Sequence, residues 1–482
     1  MLKLTNTLSG QKEEFIPLKD KKVNMFVCGP TVYDHIHIGN ARTFVFFDVV
    51  AKYLRYRGYD VNYIQNITDI DNKIIERAQK ENVDPLEYAK KYSELFKQDM
   101  LALGVTSPEY KNATDHIPEV IKQVQALLDK GNAYVIENDG IYFDLSTFPD
   151  YGKLSGRTAS MADDAVSRID DSAKKRNRGD FALWKFSQAG DPSWPAPFGD
   201  GRPGWHIEDT AITEKYFGPQ YDIHGGGEDL KFPHHEAEIA QQESASSKKP
   251  FVKYWLHNGF LVNKEQKMSK SIGNFDTVHE LLKKYPKEIL RFYLLSGNYH
   301  SPLDYSEESL KLSEAGIENI KGVLEHLEQI KNEGRLEVTE NPMLIKQIDE
   351  YFENILLGME NDFNTQEAFG VLGGLISYTY QNLKNFDLEA YEKFMDIIKF
   401  FDRTFGFIVM PEVKTIKYPW GQATTSFTVG VSINPEIMKL VDERGQARKE
   451  KDFVKADKLT TELKKLGVEI EDNIHGTLIR IK

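Results

Sequence analysis

Two short motifs, far apart in the chain, combine residue types that suit the binding of a polyphosphate. The first, His37-Ile38-Gly39-Asn40, places a ring, an amide and a glycine at the predicted start of a helix, where free backbone N–H groups favour anions. The second, Lys267-Met268-Ser269-Lys270-Ser271, offers two ammonium groups that can neutralise charge developing on phosphates during nucleotidyl transfer. Alone, the first motif is a weak signal, and the second also fits a solvated charged loop.

A third motif, Gly225-Gly226-Gly227-Glu228-Asp229, follows a predicted strand and favours nucleotide binding. Its glycines allow a ligand to lie against the backbone, and the carboxylate of Asp229 can accept hydrogen bonds from ribose hydroxyls. A purely structural turn is the alternative interpretation.

These motifs lie at the ends of predicted strands in two strand–helix–strand segments. In the first segment, strands at 23–29 and 61–68 flank a helix at 40–56; in the second, strands at 221–224 and 254–261 flank a helix over PHHEAEIAQQESA. We therefore predict an α/β Rossmann-like domain with a parallel sheet and a ligand site at the carboxyl ends of its strands. The loop-rich text between about 115 and 200 is predicted to be an insertion that splits this domain.

The remainder of the chain is predicted to be mainly helical. Residues 308–405 have the apolar spacing of an antiparallel helical bundle, and 406–434, rich in Thr, Ser and Gly, are predicted to form a linker or irregular segment. A small terminal domain with a mixed-charge helix follows. The expected divisions are 1–115 and 201–260 for the two halves of the Rossmann-like domain, 116–200 for the insertion, 261–310 for the region of the second motif, 311–405 for the bundle and 406–482 for the linker and terminal domain.

Composition limits the classes of protein that are compatible with the chain. The single cysteine, Cys28, excludes internal disulfides, and neither a membrane-length apolar run nor the apolar core of a signal peptide is present, so we expect a cytoplasmic protein. A net charge of −13 argues against a protein that coats nucleic acid by bulk electrostatics. Basic and acidic residues are nearly balanced in 436–482, which fits either a phosphate-facing surface or a solvated helix face.

Together, the first two motifs resemble the HIGH and KMSKS signatures of class I aminoacyl-tRNA synthetases. Longer segments are similar to cysteinyl-tRNA synthetases, and this resemblance runs over essentially the whole chain: FVCGPTVYDHIHIGNAR, NITDIDNKI, FALWK, GRPGWHIED, DIHGGGEDLKFPHHEAEIAQ, KMSKSIGN and DFNT. The resemblance implies an ATP-dependent ligase that forms cysteinyl-adenylate and pyrophosphate and then transfers cysteine to the 3′-terminal adenosine of tRNA(Cys).

The resemblance also implies which residues act on ATP, which is expected to arrive with Mg²⁺. Asn40 departs from the family pattern, in which a second histidine is usual, although an amide can still donate a hydrogen bond. Catalytic roles carry over to His37, Asn40, Lys267 and Lys270. The expected ATP-binding residues are Gly29, Thr31, His37, Gly39, Asn40, Gly227, Asp229 and Lys270.

The family holds one zinc ion per chain in its amino-acid pocket, where the substrate thiolate becomes an additional ligand. The positions that match the zinc ligands are Cys28, Asp209, His234 and Glu238. Asp209 replaces a second thiolate with a hard oxygen ligand, which conserves the ligand charge but should weaken zinc binding; a weakened or metal-free site is the rival interpretation. The positions that match the contacts to substrate cysteine are Cys28, Thr68, Trp205 and His224.

By the same resemblance, the expected partners are tRNA(Cys), ATP and L-cysteine, and the protein is expected to be a monomer. The helical bundle and the terminal domain would recognise tRNA, and the terminal domain would bind the anticodon. Two alternatives remain open: a tRNA-independent ligase that joins cysteine to an amino sugar, and a non-catalytic RNA-binding remnant. Retention of 311–482 argues against the first alternative, and the intact lysines of the second motif argue against the other.

Overall fold

The computed structural model describes residues 1–157, 174–188, 190–263, 266–267, 276–336, 341–418, 421–427, 435–473 and 476–481. The chain divides into two units, of which the first comprises 1–310 and 358–366 and the second comprises 311–357 and 367–482. None of the helices in the described ranges is both long enough and apolar enough to span a membrane.

The first unit combines a central parallel sheet with helices and smaller sheets. Its strands are β1 (Lys3–Asn6), β2 (Gln11–Glu14), β3 (Lys22–Val27), β4 (Asp60–Ile67), β5 (Glu109–Asn112), β6 (Ala133–Ile136), β7 (Gly140–Phe143), β8 (Phe181–Phe186), β9 (Gly201–Pro203), β10 (Tyr221–Gly227), β11 (Val252–Asn258), β12 (Leu261–Asn263), β13 (Gln266–Lys267) and β14 (Leu303–Asp304). Its helices are α1 (Ile38–Tyr56), α2 (Asn72–Glu81), α3 (Pro85–Ala102), α4 (Ile117–Asp129), α5 (Ile207–Phe217), α6 (His234–Ser246), α7 (Val278–Lys284) and α8 (Lys287–Leu295).

The central sheet confirms the predicted α/β Rossmann-like fold. Among the described residues its strand order is β11-β10-β3-β4-β5, and every neighbouring pair is parallel. The two predicted strand–helix–strand segments meet where β3 pairs with β10, and α1 and α6 make the crossovers. A ligand site is expected outside the carboxyl ends of the strands at such a junction, because the chain leaves the sheet in opposite directions there.

The segment between β5 and β10 is more regular than the predicted loop-rich insertion. Strands β6, β7, β8 and β9 form an antiparallel sheet in that order, and α4 precedes it. These strands have only three to six residues, and β7, with the sequence GIYF, is buried along its whole length. A strand that is buried on both faces shows no alternation of polar and apolar residues, so the sequence pattern did not reveal it.

Helix α1 is the central helix of the first unit. The guanidinium of Arg42 is buried and donates hydrogen bonds to the carbonyls of Gly259 and Phe260 at 2.8 and 3.0 Å. One and a half turns later, the carboxylate of Asp48 accepts a hydrogen bond of 2.9 Å from Arg291 of α8, and both side chains are fully buried. The same helix therefore positions the loop after β11 and the helix α8.

The second unit contains a helical bundle and a small mixed domain. Its elements, some of which begin or end in the first unit, are α9 (Glu307–Asn332), α10 (Pro342–Glu360), α11 (Thr365–Asn382), α12 (Leu388–Phe405), β15 (Glu412–Tyr418), β16 (Gly421–Phe427), α13 (Pro435–Lys449), α14 (Phe453–Lys465), β17 (Val468–Asn473) and β18 (Gly476–Ile481). Aromatic contacts join the bundle helices: the rings of Phe352 and Phe400, for example, lie 5.5 Å apart.

Two expectations for the terminal part were wrong. The predicted linker contains β15 and β16, which join a sheet of order β15-β16-β18-β17. Because β16 pairs in parallel with β18, a strand from the far end of the chain, no local pattern indicates this sheet. The predicted mixed-charge helix is two helices: Lys451 has φ of 62° between them, and the Asp452 carboxylate caps α14 by accepting a hydrogen bond from the Lys455 N–H.

Replacing Asp48 by asparagine should destabilise the first unit by about 3–5 kcal/mol, because Arg291 would keep its buried charge without a counter-charge. Burial alone would raise the pKa of the Asp48 carboxyl, but Arg291 and Lys52 outweigh burial and hold that pKa below its ordinary value. The contribution of Asp48 to stability is therefore complete above the pKa of the unfolded carboxyl and is lost as the pH falls through the lower folded value.

Urea unfolding of the wild type and Asp48→Asn, followed at neutral pH and in acid, tests this expectation. The difference in the unfolding midpoint should be large at neutral pH and should shrink in acid. Asp60→Asn is the control, since that side chain is exposed at the start of β4. Equal midpoints for the wild type and Asp48→Asn at neutral pH would contradict the expected role of the ion pair.

Candidate active site and metal centre

A cavity of about 430 Å³ lies at the carboxyl ends of β3, β10 and β11, beside the start of α1. It brings together residues from both halves of the split domain. The predicted site residues that line it are Cys28, Gly29, Thr31, His37, Gly39, Asn40, Trp205, Gly227 and Asp229. The first and third sequence motifs therefore border one space.

The first motif, His37-Ile38-Gly39-Asn40, which resembles the HIGH signature, forms the amino-terminal end of α1. The Nδ1 atom of His37 accepts a hydrogen bond from the backbone N–H of Asn40 at 3.3 Å, so this histidine caps the helix. His37 also forms an antiparallel bridge with Thr277, close to the start of α7. Of the second signature, the backbone of Lys267 ends β13, whereas Lys270 lies outside the described residues.

The turn after β3 requires a glycine. The backbone N–H of Gly29 donates to Oδ1 of Asn66 at 2.6 Å. A Cβ atom at position 29 would lie 1.7 Å from the backbone oxygen of Asn66, which is much closer than any permitted contact. Gly29 therefore allows β3 and β4 to meet beneath the cavity, and Asn66, which sequence reasoning did not single out, fixes the turn.

A cluster of four buried side chains lies at the inner end of the cavity. Cys28 follows β3, Asp209 lies in the first turn of α5, and His234 and Glu238 occupy successive turns of α6. We call these four residues the floor cluster. Each is at most 5% exposed, and their donor atoms lie within 4.8 Å of one another. The structure thus brings together all four residues that match the zinc ligands of the family.

The spacing within the floor cluster suits a single small ion. Sγ of Cys28 lies 3.3 Å from Asp209 Oδ2 and 3.7 Å from Glu238 Oε1, and His234 Nε2 lies 2.9 and 3.2 Å from the same two oxygens. Zinc bonds of about 2.0–2.3 Å in a tetrahedron imply ligand separations of roughly 3.3–3.8 Å. The two separations from Cys28 lie within this range and the two from His234 are shorter than it, so the donor types suit zinc and the histidine would need a small outward shift to complete a tetrahedron.

A second set of donors shares two members of the floor cluster. His224 Nε2 and His235 Nε2 lie 3.4 and 3.2 Å from Cys28 Sγ, and both rings are fully buried. With Cys28 and Glu238 they form an alternative group of four possible ligands. Sequence reasoning placed His224 against the substrate and missed His235, although His235 lies three residues before Glu238 on the same helix.

Burial dominates the electrostatics of the floor cluster. Burial, followed by the charges of Glu238 and Asp209, raises the pKa of the Cys28 thiol well above its ordinary value. Burial and the charge of Asp209 likewise raise the pKa of the Glu238 carboxyl. Oδ1 of Asp209 and Oε2 of Glu238 have no hydrogen-bond partner among the described residues. A divalent cation would supply the opposite charge that this group of acids lacks.

Further buried groups orient the histidine rings. The Nδ1 atoms of His206 and His234 lie 2.8 Å apart, and the hydroxyl of Tyr221 lies 2.6 Å from His224 Nδ1. Burial lowers the pKa of His206 and His224 well below the ordinary histidine value, which favours neutral rings. A neutral ring that is held through one nitrogen can offer the other nitrogen to a metal.

Trp205 connects the floor cluster to the cavity. Its indole lines the cavity and stacks on the ring of His234, with centroids 4.5 Å apart and an interplanar angle of 29°. Thr68, the other predicted substrate contact in this region, is buried at the end of β4 and donates its hydroxyl hydrogen bond to Glu208. Burial and the neighbouring Asp209 raise the pKa of Glu208 well above its ordinary value.

Asn258 is a cavity residue that sequence reasoning missed. It ends β11, is 1% exposed, and neither polar atom of its side chain has a hydrogen-bond partner among the described residues. A buried amide without a partner is costly, so such a group inside a cavity indicates a ligand contact. The predicted strand at 254–261 ran past Asn258, whereas β11 ends at this residue, so the sequence did not place it at the edge of the sheet.

Known proteins resemble the chain along its whole length. Residues 14–315 match the family model of the class I tRNA synthetase (C) catalytic domain. A cysteine--tRNA ligase of Carboxydothermus hydrogenoformans is 42% identical over 483 residues, covering 98% of this chain and 99% of that protein. The chain belongs to the cysteine--tRNA ligase family. This confirms the resemblance that the sequence motifs indicated.

Further comparisons agree with membership of the cysteine--tRNA ligase family. A cysteine--tRNA ligase of Clostridioides difficile is 41% identical and is matched over 98% of this chain and 99% of its own length. The structure of Mycobacterium tuberculosis methionyl-tRNA synthetase in complex with methionyl-adenylate superimposes with a TM-score of 0.63, covering 80% of this chain and 92% of that chain at 15% identity. The latter similarity concerns the fold.

Replacing Gly29 by alanine should damage this family member locally, because the added methyl group must displace the backbone at Asn66. We expect a loss of stability on the order of 1–3 kcal/mol together with a clear loss of ATP–pyrophosphate exchange. Thermal unfolding and exchange assays on the full chain measure the two effects.

Gly322→Ala in α9 is the matched control, since a Cβ there would meet no heavy atom within 4 Å beyond the adjacent backbone of its own helix. Alanine is the better helix former, so this control should be slightly more stable than the wild type. If Gly29→Ala behaves like Gly322→Ala in both assays, the turn after β3 does not need a glycine.

Proposed function

We propose that the chain is an ATP-dependent cysteine--tRNA ligase that forms cysteinyl-adenylate and pyrophosphate and transfers cysteine to the 3′-terminal adenosine of tRNA(Cys). The observation that carries this proposal is the floor cluster, a buried group of metal-binding type that lies at the inner end of the cavity bordered by the first signature. Membership of the cysteine--tRNA ligase family supports the same activity.

The nucleotide would occupy the outer part of the cavity, between α1 and the third motif, whose glycines end β10. His37, Asn40, Lys267 and Lys270 would stabilise the charge on the phosphates, and the backbone N–H groups at the start of α1 would add to this. The nucleotide-binding set would be Gly29, Thr31, His37, Gly39, Asn40, Gly227, Asp229 and Lys270, with Mg²⁺ accompanying ATP. We add Asn258, because its buried amide needs hydrogen-bond partners.

We propose zinc as the ion of the floor cluster, with Cys28, Asp209, His234 and Glu238 as its ligands. When bound, zinc would offer the thiol of cysteine a bond that the hydroxyl of serine accepts poorly. Asp209 is a harder ligand than a thiolate, so this chain would hold zinc less tightly than a site with two cysteines.

The chain's own residues would place the substrate between the floor cluster and the nucleotide. Trp205 lines the cavity, stacks on His234 and would form one wall for the side chain of cysteine. Thr68 and His224 would complete the pocket. Glu208 accepts a hydrogen bond from the Thr68 hydroxyl and would thereby fix the orientation of that hydroxyl.

The remaining proposals concern RNA and the state of the protein. The region at 261–310 would contact the tRNA stem, the bundle at 311–405 would bind tRNA, and 406–482 would include the anticodon-binding domain.

The halves of the catalytic domain would be 1–115 and 201–260, separated by the insertion at 116–200. A cytoplasmic monomer is the proposed working form.

Two linked assays on the purified full chain test the function. We expect cysteine-dependent exchange of pyrophosphate into ATP, followed by acyl transfer to tRNA(Cys), with methionine inactive as a control amino acid. Exchange without transfer to tRNA would instead indicate the amino-sugar ligase, and the absence of both reactions would indicate a non-catalytic remnant.

The identity of the metal ligands makes a separate prediction. Loss of a residue that only supports a metal ligand lowers metal affinity by roughly 10–100-fold. Asp209→Ala removes a proposed ligand itself, so it should lower zinc affinity by more than this. Asp209→Cys should raise zinc affinity above that of the wild type, because it restores a soft ligand. Elemental analysis and competition with a chelator measure both effects without an activity assay.

The control for these variants is Asp60→Asn, which changes an exposed carboxylate far from the floor cluster in sequence. Purified wild type that contains no zinc yet shows full cysteine activation would exclude the zinc proposal. Equal zinc content and affinity in the wild type and Asp209→Ala would remove only the role of Asp209.

A further inference from the structure

A second group of potential metal ligands lies outside the floor cluster. Nδ1 of His35 is 3.4 Å from Asp99 Oδ2, and Nδ1 of His279 is 3.1 Å from Asp99 Oδ1. The three side chains offer donor atoms that lie within 4.8 Å of one another. They come from the loop before α1, from α3 and from α7, respectively. Nothing in the proposed reaction requires them.

Backbone pairing accounts for the meeting of the two histidines. His37 and Thr277 form an antiparallel bridge, and the N–H of Val278 donates to the carbonyl of Ile36 at 3.1 Å. In an antiparallel register, the residue two before His37 lies opposite the residue two after Thr277. These residues are His35 and His279. Their rings stack with centroids 4.7 Å apart and an interplanar angle of 27°. The juxtaposition is therefore built into the backbone and does not depend on flexible side chains alone.

Asp99 adds a buried carboxylate to this exposed pair of rings. It is 5% exposed near the end of α3, whereas the side chains of His35 and His279 are 26% and 38% exposed. Two imidazoles and a carboxylate are ligands that suit divalent transition metals, and the partial exposure of the rings would leave water access to the remaining coordination positions. An ion here would not need a thiolate, unlike one in the floor cluster.

The chain offers a comparison that distinguishes this cluster from an ordinary histidine–aspartate pair. His300 Nε2 lies 3.1 Å from Asp362 Oδ2 and is similarly exposed, at 31%. No second histidine joins that pair in the metal-type groups found among the described residues. Each site has a histidine–aspartate contact, but only the group around Asp99 has a second histidine ring beside the carboxylate. A metal site needs this additional ligand.

We propose that His35, Asp99 and His279 bind a divalent transition-metal ion at a site separate from the floor cluster. The ion would link α7, which follows the second signature, to the loop that precedes α1 and to α3. Binding would therefore restrain the start of α7 against the first signature. This inference goes beyond the proposed function, because neither adenylate formation nor acyl transfer depends on it.

Titration of the metal-depleted full chain with Co²⁺ tests the proposal. We expect two bound equivalents: one with a thiolate-to-cobalt charge-transfer band, from the floor cluster, and one with d–d absorption alone. His279→Asn and His35→Asn should each weaken the second equivalent at least about tenfold, on the scale known for disrupted metal sites, and leave the thiolate-marked equivalent unchanged. His300→Asn, the matched control, should retain both equivalents.

Hydrogen exchange provides an independent measurement on the same proteins. Amides in 276–284 should exchange more slowly after the second equivalent is added to the wild type and to His300→Asn, and should not respond in His279→Asn. Thermal unfolding without metal checks that the variants remain folded, and the partial exposure of His279 favours this outcome.

Three results would overturn the proposal. The wild type binds only the thiolate-marked equivalent; or the second equivalent binds to His279→Asn and His35→Asn as it does to the wild type; or the second equivalent also carries the charge-transfer band, which would assign it to the donors around Cys28. None of these outcomes affects the proposed ligase activity.

Discussion

The structure depends on holding several acids and imidazoles together where they are almost completely buried. Cys28, Asp209 and Glu238 are almost completely buried, and each carries or can acquire negative charge. Their mutual repulsion and their desolvation both oppose ionisation, which is why the pKa values of Cys28 and Glu238 lie so far above the ordinary ones. Such an arrangement persists only if the surrounding elements leave the side chains no other position.

The split Rossmann-like domain supplies that constraint. The members of the floor cluster come from the end of β3 and from two helices of the other half, α5 and α6. The parallel pairing of β3 with β10 fixes one half against the other. On the opposite side of the same junction, α1 carries His37 at its start and anchors the loop after β11 through Arg42. Burial lowers the pKa of this arginine to about 10, and its guanidinium donates hydrogen bonds to three carbonyls, those of Gly259, Phe260 and Asn298.

Much of this architecture could be predicted, because its signals are local. A buried strand followed by a glycine turn and a helix indicates a parallel sheet and the edge at which ligands bind. The positions matching the zinc ligands were identified through resemblance, and the spacing of His234 and Glu238 on α6 agreed with it. The Asp209 substitution was visible in the sequence, whereas its unpartnered oxygen was not.

What the sequence could not predict depends on contacts between distant segments. His235 differs from its neighbour His234 only in the direction of its side chain, and that direction follows from how α6 packs. The amide of Asn258 is notable only because it lacks partners after folding. Strand β16 pairs with β18, although two helices lie between them in the sequence. The break between those helices has a positive φ at Lys451, where the usual sequence signal, a glycine, is missing. The stacked pair His35 and His279 likewise arises from a long-range bridge.

The solitary cysteine has a practical consequence. Because Cys28 is the only thiol in the chain and lines the cavity, any thiol-directed probe that attaches covalently must attach there. Its protonated, desolvated sulfur should react slowly, since the thiolate is the reactive form. The rate at which Cys28 is alkylated therefore reports whether the cavity is occupied. A bound substrate, inhibitor or ion can be detected in this way without an introduced label.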